Sequence, residues 1–451
     1  MKNFHLKILA IILALTLALF SMACNPLKNK EPSLPPPSDA GSSSVIKPDN
    51  VTSVTVNYAE RTQSPNQEEA ELMSAIDSVF TSVVYISNTV TTQSGTQVGV
   101  GSGVIVDISA SGESANSCYV FTCYHVIENF NKLEVSIPSV PTAELNGSTY
   151  YDYANVNYNA YTFTTDGQTP TVAFVGGDKE TDVAVLKLNL SAYPDLIVNK
   201  ASISNISAHP YSLGQTVFAI GNPTGYLQGT TTTGGISAIN RSVEVSGVGK
   251  MSLLQIDTAV NHGNSGGGLF NLYGELVGLV NAGNDNYENV GFAIPVTNIS
   301  ATNGLSESQD TGFVKITKDL ITTAWTDDNG NFNYGYVPGR WKLGINVGKN
   351  LQNGYAVISS LEPQSIFKDK LFPNDIIIGL KYSRNGSDYS LNFRSSQTPY
   401  EDFSLAYDEM KSYVAFGNTV TLVVLRDNIE VTQSATLRQY VYRDTGLGLG
   451  A

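Results

Sequence analysis

The 451-residue sequence predicts a mostly β protein, on three observations. Short apolar runs recur between Gly- and Asn-rich breaks: Ser82-Ile86, Val98-Val106, Tyr119-Tyr124, Val183-Leu188, Thr216-Ile220, Leu253-Ile256, Leu276-Val280 and Val290-Ile294. Many short strands at such intervals indicate a sandwich or barrel, not alternating βαβ units. Composition agrees, with 40 Gly, 24 Tyr and many Thr, Val and Asn, residues that suit turns and pleated, half-buried surfaces. The Gly99-Val100-Gly101-Ser102-Gly103 stretch has neither the GxGxxG spacing nor the following helix of a dinucleotide-binding turn, so it reads as turns within strands.

The length suggests about three structural units at roughly 150 residues each. A hydrophobic content of 41% against 15% charged residues fits a chain with real cores. The net charge of −14 argues against nucleic acid as a partner, because phosphate binding needs surplus Lys and Arg. Three cysteines exclude a disulfide-dense scaffold, and the four histidines show no HxxxH or CxxC setting for a metal. No P-loop occurs, and no cofactor or metal is expected.

The N-terminus reads as an address. Lys2 and Lys7 precede an apolar run, Ile8 to Phe20, that is short for a membrane span and ends at Ser21-Met22-Ala23-Cys24. That ending resembles the lipobox of bacterial lipoproteins, with Cys24 as the acylated residue; Ser21 departs from the usual Leu. Residues 1–24 are therefore expected to be a lipoprotein signal peptide. Residues 25–65, with Pro35-Pro36-Pro37 and Ser42-Ser43-Ser44, have linker composition and would span roughly 35 Å as a coil. Leu72, Ile76 and Phe80 at helical spacing open the segment that follows.

Three strings in that segment carry chemistry. Asn261-His262-Gly263-Asn264-Ser265-Gly266-Gly267-Gly268 surrounds a serine with glycines. A serine nucleophile needs a base to take its proton and backbone N–H groups aimed at the developing oxyanion, and glycines allow such a turn. Val120-Phe121-Thr122-Cys123-Tyr124-His125 ends an apolar strand on a histidine, and Thr181-Asp182-Val183-Ala184-Val185-Leu186 starts another on an aspartate. Each has a bland explanation: a glycine-rich turn, a satisfied core histidine, a strand cap. The order His, Asp, Ser is that of the chymotrypsin arrangement.

These strings belong to a collinear series over about residues 70–300: Gly101-Ser102-Gly103-Val104-Ile105, Thr122 with His125-Val126, Thr181-Asp182, Ala219-Ile220-Gly221-Asn222-Pro223, Thr233-Gly234-Gly235-Ile236-Ser237-Ala238, Gln255-Ile256-Asp257-Thr258-Ala259-Val260-Asn261, Gly263-Asn264-Ser265-Gly266-Gly267 and Gly291-Phe292-Ala293-Ile294-Pro295. The series resembles the HtrA (Deg) serine proteases of the trypsin-like fold. The resemblance implies a chymotrypsin-like double β-barrel over 66–300, with Ser265 as nucleophile, His125 as general base and Asp182 orienting His125. It places the oxyanion donors on the N–H groups of Gly263 and Ser265, and reads Asp257 as structural.

His262 and Gly268 depart from residues often found beside the nucleophile, and the triad geometry disfavours His262 as a local base. The Tyr-rich interval 131–181 is longer than usual in the family. Cys118 and Cys123 lie five apart in one strand, about 17 Å of extended chain, too far to pair. The primary substrate pocket is expected from Ala259-Asn264 and Val280-Asn281-Ala282-Gly283, which contain no charged residue, so a small or medium apolar side chain should precede the cleaved bond.

Residues 301–334 read as a connector with a small hairpin at Asp327-Asp328-Asn329-Gly330. Beyond it, strands at Leu343-Val347, Tyr355-Ser359, Asp375-Leu380, Thr419-Leu425 and Glu430-Leu437 surround a helix within Glu401-Tyr413. Lys342-Leu343-Gly344-Ile345 and Pro373-Asn374-Asp375-Ile376 resemble a bacterial PDZ domain, placing a PDZ-like α+β domain over 335–445. The resemblance implies that Leu343, Gly344 and Ile345 bind a peptide carboxylate. Together these likenesses imply an ATP-independent serine endopeptidase acting on unfolded or misfolded proteins, lipid-anchored at the extracytoplasmic face of a bacterial membrane and trimeric. A chaperone or peptide-binding scaffold with the same domains is the alternative.

Overall fold

A computed structural model describes residues 67–442, apart from 109–115, 146, 168–169, 284–288, 300–303 and 327–331. The lipobox with Cys24 and the linker to residue 65 lie outside the described residues.

Helix α1 (Gln67–Val79) opens the described chain with Glu68 and Glu69 in its first turn, where carboxylates complement the helix dipole. Ala75 and Val79 are its buried residues. Nine strands follow: β1 (Val83–Thr92), β2 (Gly95–Ile105), β3 (Ser117–Cys123), β4 (Lys132–Ser139), β5 (Thr142–Leu145), β6 (Ser148–Tyr151), β7 (Asn157–Thr164), β8 (Val172–Asp178) and β9 (Val183–Asn189), with helix α2 (Tyr124–Ile127) between β3 and β4. Seven form one curled antiparallel sheet in the order β7-β4-β1-β2-β3-β9-β8, while β5 and β6 pair as a separate hairpin. The Tyr-rich interval thus folds into strands, and its Tyr153 ring meets Phe80 edge-on at 5.0 Å.

The next six strands, β10 (Thr216–Gly221), β11 (Thr230–Val245), β12 (Gly249–Ile256), β13 (Gly268–Asn271), β14 (Leu276–Gly283) and β15 (Gly291–Pro295), close into a barrel in the order β10-β11-β12-β15-β14-β13. A barrel leaves no free edge and fills its interior from alternate positions. Val217, Ala219, Ile236, Leu254, Ile256, Leu269, Val277, Val280 and Ala293 form one of its buried clusters.

The sequence offered only a connector before the last sheet. Helix α3 (Phe313–Thr323) forms there, burying Phe313, Ile316, Thr317 and Leu320, which share one face at helical spacing. Phe313 meets Phe121 of β3 edge-on at 6.1 Å. The expected hairpin is present as β16 (Trp325–Thr326) paired with β17 (Phe332–Asn333). A second antiparallel sheet holds β18 (Ile345–Lys349), β19 (Ala356–Leu361), β20 (Ile376–Arg384), β21 (Ser387–Asn392), β22 (Thr419–Arg426) and β23 (Ile429–Thr436), with helix α4 (Pro399–Met410) between β21 and β22. Its core centres on Phe367, Ile377, Leu380, Met410 and Leu422. No described helix is long and apolar enough to cross a membrane.

Candidate active site

The acid–base side is built where β3 ends and the chain turns into α2. Gly101 on β2 permits this seat, since a Cβ there would fall 2.5 Å from Val126 Cγ1. Asp182 occupies the tight turn between β8 and β9 with φ +54°, a left-handed conformation in which Asp is enriched. From that turn it holds the start of α2. Its carbonyl accepts the Tyr124 N–H at 3.0 Å, Oδ1 accepts the His125 N–H at 2.8 Å, and Oδ2 lies 2.7 Å from His125 Nδ1. The Asp182 side chain is fully buried, whereas that of His125 is 41% exposed. Burial of the inner ring edge lowers the imidazole pKa, but the hydrogen bond and charge of Asp182, with the charge of Glu128, outweigh it and hold it above 6.5. A carboxylate at Nδ1 fixes the proton there and leaves Nε2 as an acceptor.

The nucleophile turn runs from β12 to β13 and is fastened by a residue of the other sheet. Ser102, buried on β2, donates from Oγ to Gly263 O at 2.7 Å and from its backbone N–H to Ser265 O at 2.9 Å. Its Oγ also accepts the Asn222 N–H at 2.9 Å. Gly263 has φ +98°, and a Cβ on it would fall 2.4 Å from Asn222 O, so only glycine fits. His262 O accepts the Thr224 N–H at 2.7 Å. In a planar trans peptide that bond directs the Gly263 N–H the opposite way. Neither this N–H nor that of Ser265 meets an acceptor among the described residues. Two uncommitted donors on one turn are what an oxyanion requires. Thr224 has φ +58°, a rare backbone for a β-branched residue and a form of strain that clusters at functional sites.

Ser265 Oγ donates to Asn281 O at 2.9 Å. No hydrogen bond joins it to His125 among the described residues. The sequence placed Asn281 in the wall of the primary pocket. Its side chain instead turns inward, 1% exposed, and Nδ2 donates to Asp182 Oδ2 at 2.6 Å. No sequence signal separates this amide from its neighbours on β14.

Cys123 and Cys118 are free and buried, and burial pushes the Cys118 thiol up to about 12. Burial, then the Asp182 charge, pushes the Cys123 thiol well above its usual value. Ligand-type atoms of Cys123, His125 and Asp182 lie within 4.8 Å of one another. The Cys123 thiol donates to Val280 O, and Asp182 Oδ2 lies against His125 Nδ1. Asp257 lies apart from them, accepting the Gly235 N–H on β11 at 2.5 Å.

A groove of about 890 Å³ lies at the second sheet. It is lined by Leu343, Gly344 and Ile345 at the start of β18, by Tyr400, Phe403 and Tyr407 of α4, and by further residues that include Lys179 and Glu180 of the β8–β9 turn. β18 ends its sheet and pairs only with β19. Before it, Arg340 reaches the same turn, donating to both oxygens of the 1%-exposed Asp178 at 3.2 and 2.9 Å and lying 3.1 Å from Glu180.

Residues 101–279 match the model of a trypsin-like peptidase domain. Over 395 residues the chain is 27% identical to the serine protease Do-like HtrB of Bacillus subtilis, covering 83% of this chain and 72% of that protein. It is 32% identical over 203 residues to the serine endoprotease DegS of Escherichia coli, covering 44% of this chain and 45% of that protein. It is 33% identical over 180 residues to a probable periplasmic serine endoprotease, DegP-like, of Chlamydia trachomatis, covering 39% of this chain and 29% of that protein. The chain is thus a serine protease with a trypsin-like peptidase domain, similar to proteins of the HtrA/Deg type.

Proposed function

We propose that Ser265, His125 and Asp182 form the catalytic triad of an endopeptidase that cleaves unfolded or misfolded proteins without ATP. The observation that carries this reading is the His125–Asp182 pair at 2.7 Å, with the Ser265 turn fastened by Ser102 to the neighbouring strand. Ser265 Oγ attacks the scissile carbonyl carbon as its proton passes to His125 Nε2. The Gly263 and Ser265 N–H groups take the charge on the carbonyl oxygen. The leaving amine takes the proton from His125 Nε2. Water then repeats the sequence on the acyl-enzyme and releases Ser265. For the first step the hydroxyl must leave Asn281 O for His125, so the structure corresponds to a resting state; catalytic hydrogen bonds often form only with substrate bound.

In this reading 66–300 is the protease domain, 301–334 the connector and 335–445 a PDZ-like domain. Leu343, Gly344 and Ile345 receive the end of a peptide that adds as a strand along β18, an open edge beside Tyr400, Phe403 and Tyr407 of α4. The site of action is the extracytoplasmic face of a bacterial membrane, with Cys24 as the lipid anchor and the working unit a homo-oligomer. The turned-away Ser265 hydroxyl is what favours the second reading, a chaperone or scaffold. Casein digestion by the full chain decides between them. Digestion should disappear in Ser265→Ala and fall steeply in His125→Ala; equal digestion by wild type and both variants would reject the triad.

A further inference from the structure

We propose that Cys123, His125 and Asp182, with the side-chain oxygen of Asn281, form an inhibitory site for Zn²⁺ that disables the base of the active site. The proposal rests on the triad reading above and gives the ion no part in the reaction itself.

Strand β3 ends on a thiol two residues before the base. Cys118, at the other end of the strand, has the Lys200 cation as its charged neighbour, whereas Cys123 has the Asp182 carboxylate. Cys123 Sγ, a ring nitrogen of His125 and a carboxylate oxygen of Asp182 all lie within 4.8 Å of one another. Thiolate, imidazole and carboxylate are the donors of tetrahedral Zn²⁺ sites, bound at about 2.0–2.3 Å, which sets the ligand atoms about 3.3–3.7 Å apart. The ring nitrogen on this side is Nδ1, 2.7 Å from Asp182 Oδ2. Seating an ion therefore asks that pair to part, and the thiol to close in, by about 1 Å. The thiol gives up only a weak donation, to Val280 O at 3.4 Å.

A fourth donor stands beside these three. Asn281 is 1% exposed, and its Oδ1 accepts nothing among the described residues, although a buried oxygen without a partner costs stability. A half-turn of the amide would put Oδ1 where Nδ2 now stands, 2.6 Å from Asp182 Oδ2 and 3.9 Å from Cys123 Sγ. Against the carboxylate alone that orientation is repulsive. With a cation between them it completes a four-donor set and satisfies the oxygen. Cys123 and Asp182 are fully buried, and His125 is the exposed member, so an ion enters past the imidazole ring.

The effect on catalysis follows from the proton count. Binding takes the proton from the Cys123 thiol and releases it to solvent. Zn²⁺ takes the lone pair of His125 Nδ1, and the proton formerly held there moves to Nε2. Nε2 then carries a hydrogen and has no lone pair to receive the proton of Ser265 Oγ. Removal of the ion reverses each step.

The test uses the full chain, with Zn²⁺ titrated into digestion of fluorescein-labelled casein and Co²⁺ as a spectroscopic stand-in. Zn²⁺ should abolish digestion, and a chelator should restore it. Loss of even an outer partner of a metal site costs about 10- to 100-fold in affinity. Cys123→Ser should therefore raise the half-inhibiting Zn²⁺ concentration about a hundredfold, each protein being read against its own metal-free rate. Cys123→Ala, read in the same way, guards against a fold disturbed by the buried hydroxyl, and Cys118→Ala should leave the sensitivity unchanged. In Ser265→Ala, Co²⁺ should give thiolate-to-metal charge-transfer absorption in the near ultraviolet, which the further substitution Cys123→Ser should remove. Equal Zn²⁺ sensitivity in wild type and both Cys123 variants overturns the proposal, as does a Co²⁺ spectrum without that absorption or one that Cys123→Ser leaves unchanged. The spectrum needs no turnover. Failure of the triad reading, seen as digestion that persists in Ser265→Ala, is thus distinguishable from failure of the metal site.

Discussion

On the acid–base half of the site, Asp182 binds His125 through both carboxylate oxygens and Tyr124 through its carbonyl, so base and acid are paired at rest. On the nucleophile half, the backbone is equally fastened, by Ser102 and Thr224, yet the Ser265 hydroxyl donates to Asn281 and not to the base. The difference is between a contact made by two side chains on adjoining strand ends and one that depends on a single rotatable hydroxyl. Buried charge has to be paired wherever it occurs in the fold, while a partly exposed hydroxyl can exchange partners at little cost. In the proposed triad the base is already paired with its carboxylate, while the serine hydroxyl has to leave Asn281 O before it can meet the base.

Breaking the preformed half should have the largest effect. Asp182→Asn should lower kcat by about four orders of magnitude, through the wrong histidine tautomer, with little change in overall fold. Near-normal turnover of casein would refute the preformed pair. Cutting the fastening of the other half comes next. Ser102→Ala removes the donor to Gly263 O and an acceptor for Asn222 and should cost about 1–3 kcal/mol of stability in urea unfolding. It should also lower kcat about ten- to a hundredfold, the cost of a misplaced oxyanion donor being about that or more. Unchanged kcat would mean that the turn holds its shape unaided.

Arg340→Ala addresses the turn that carries Asp182 from the opposite side. It leaves Asp178 buried without its guanidinium and should cost about 3–5 kcal/mol, read as a lower urea midpoint. A midpoint within error of wild type would show that Thr181, which donates to Asp178 at 2.6 Å, suffices to hold the turn.

The smallest effect is a shift of pH. The base must be neutral to accept the serine proton, and the folded environment holds the imidazole above 6.5. The imidazolium therefore persists to higher pH than in a free histidine, and the acidic limb of kcat/KM should lie above 6.5. In an Asp182→Asn variant with measurable residual activity, the limb should move down, because the charge that raises it is gone. A limb below 6.5 in the wild type would indicate that burial outweighs Asp182.

Much of this could be read in advance where chemistry is local. The strand Val183-Leu188 is an apolar run whose ladder with β3 occupies the same residues. The Asp427-Asn428 turn also follows from its residue types, both taking positive φ between β22 and β23. Helix α3 is not legible in the sequence because Lys315, Lys318 and Thr322 interrupt a face formed by Phe313, Ile316, Thr317 and Leu320, which becomes evident only against the sheet it covers. Ser102 reads as part of a glycine-rich strand, and nothing in its neighbours shows that its hydroxyl crosses to the other sheet. Asn281 was placed by its neighbours in a pocket wall, and a strand residue's direction depends on register as well as spacing.

By itself the sequence determined the strand-rich fold class, the order of histidine, aspartate and serine, and the glycines that allow the nucleophile turn. These follow from side-chain type and short-range sterics. Only the tertiary structure decided that Asp182 would have Asn281 at its second side, that Ser102 would tie the two sheets together at the turn, and that the serine hydroxyl would rest on a carbonyl. Each of these is a hydrogen bond between residues far apart in the chain, and its existence depends on how the curled seven-stranded sheet and the closed barrel come to face each other.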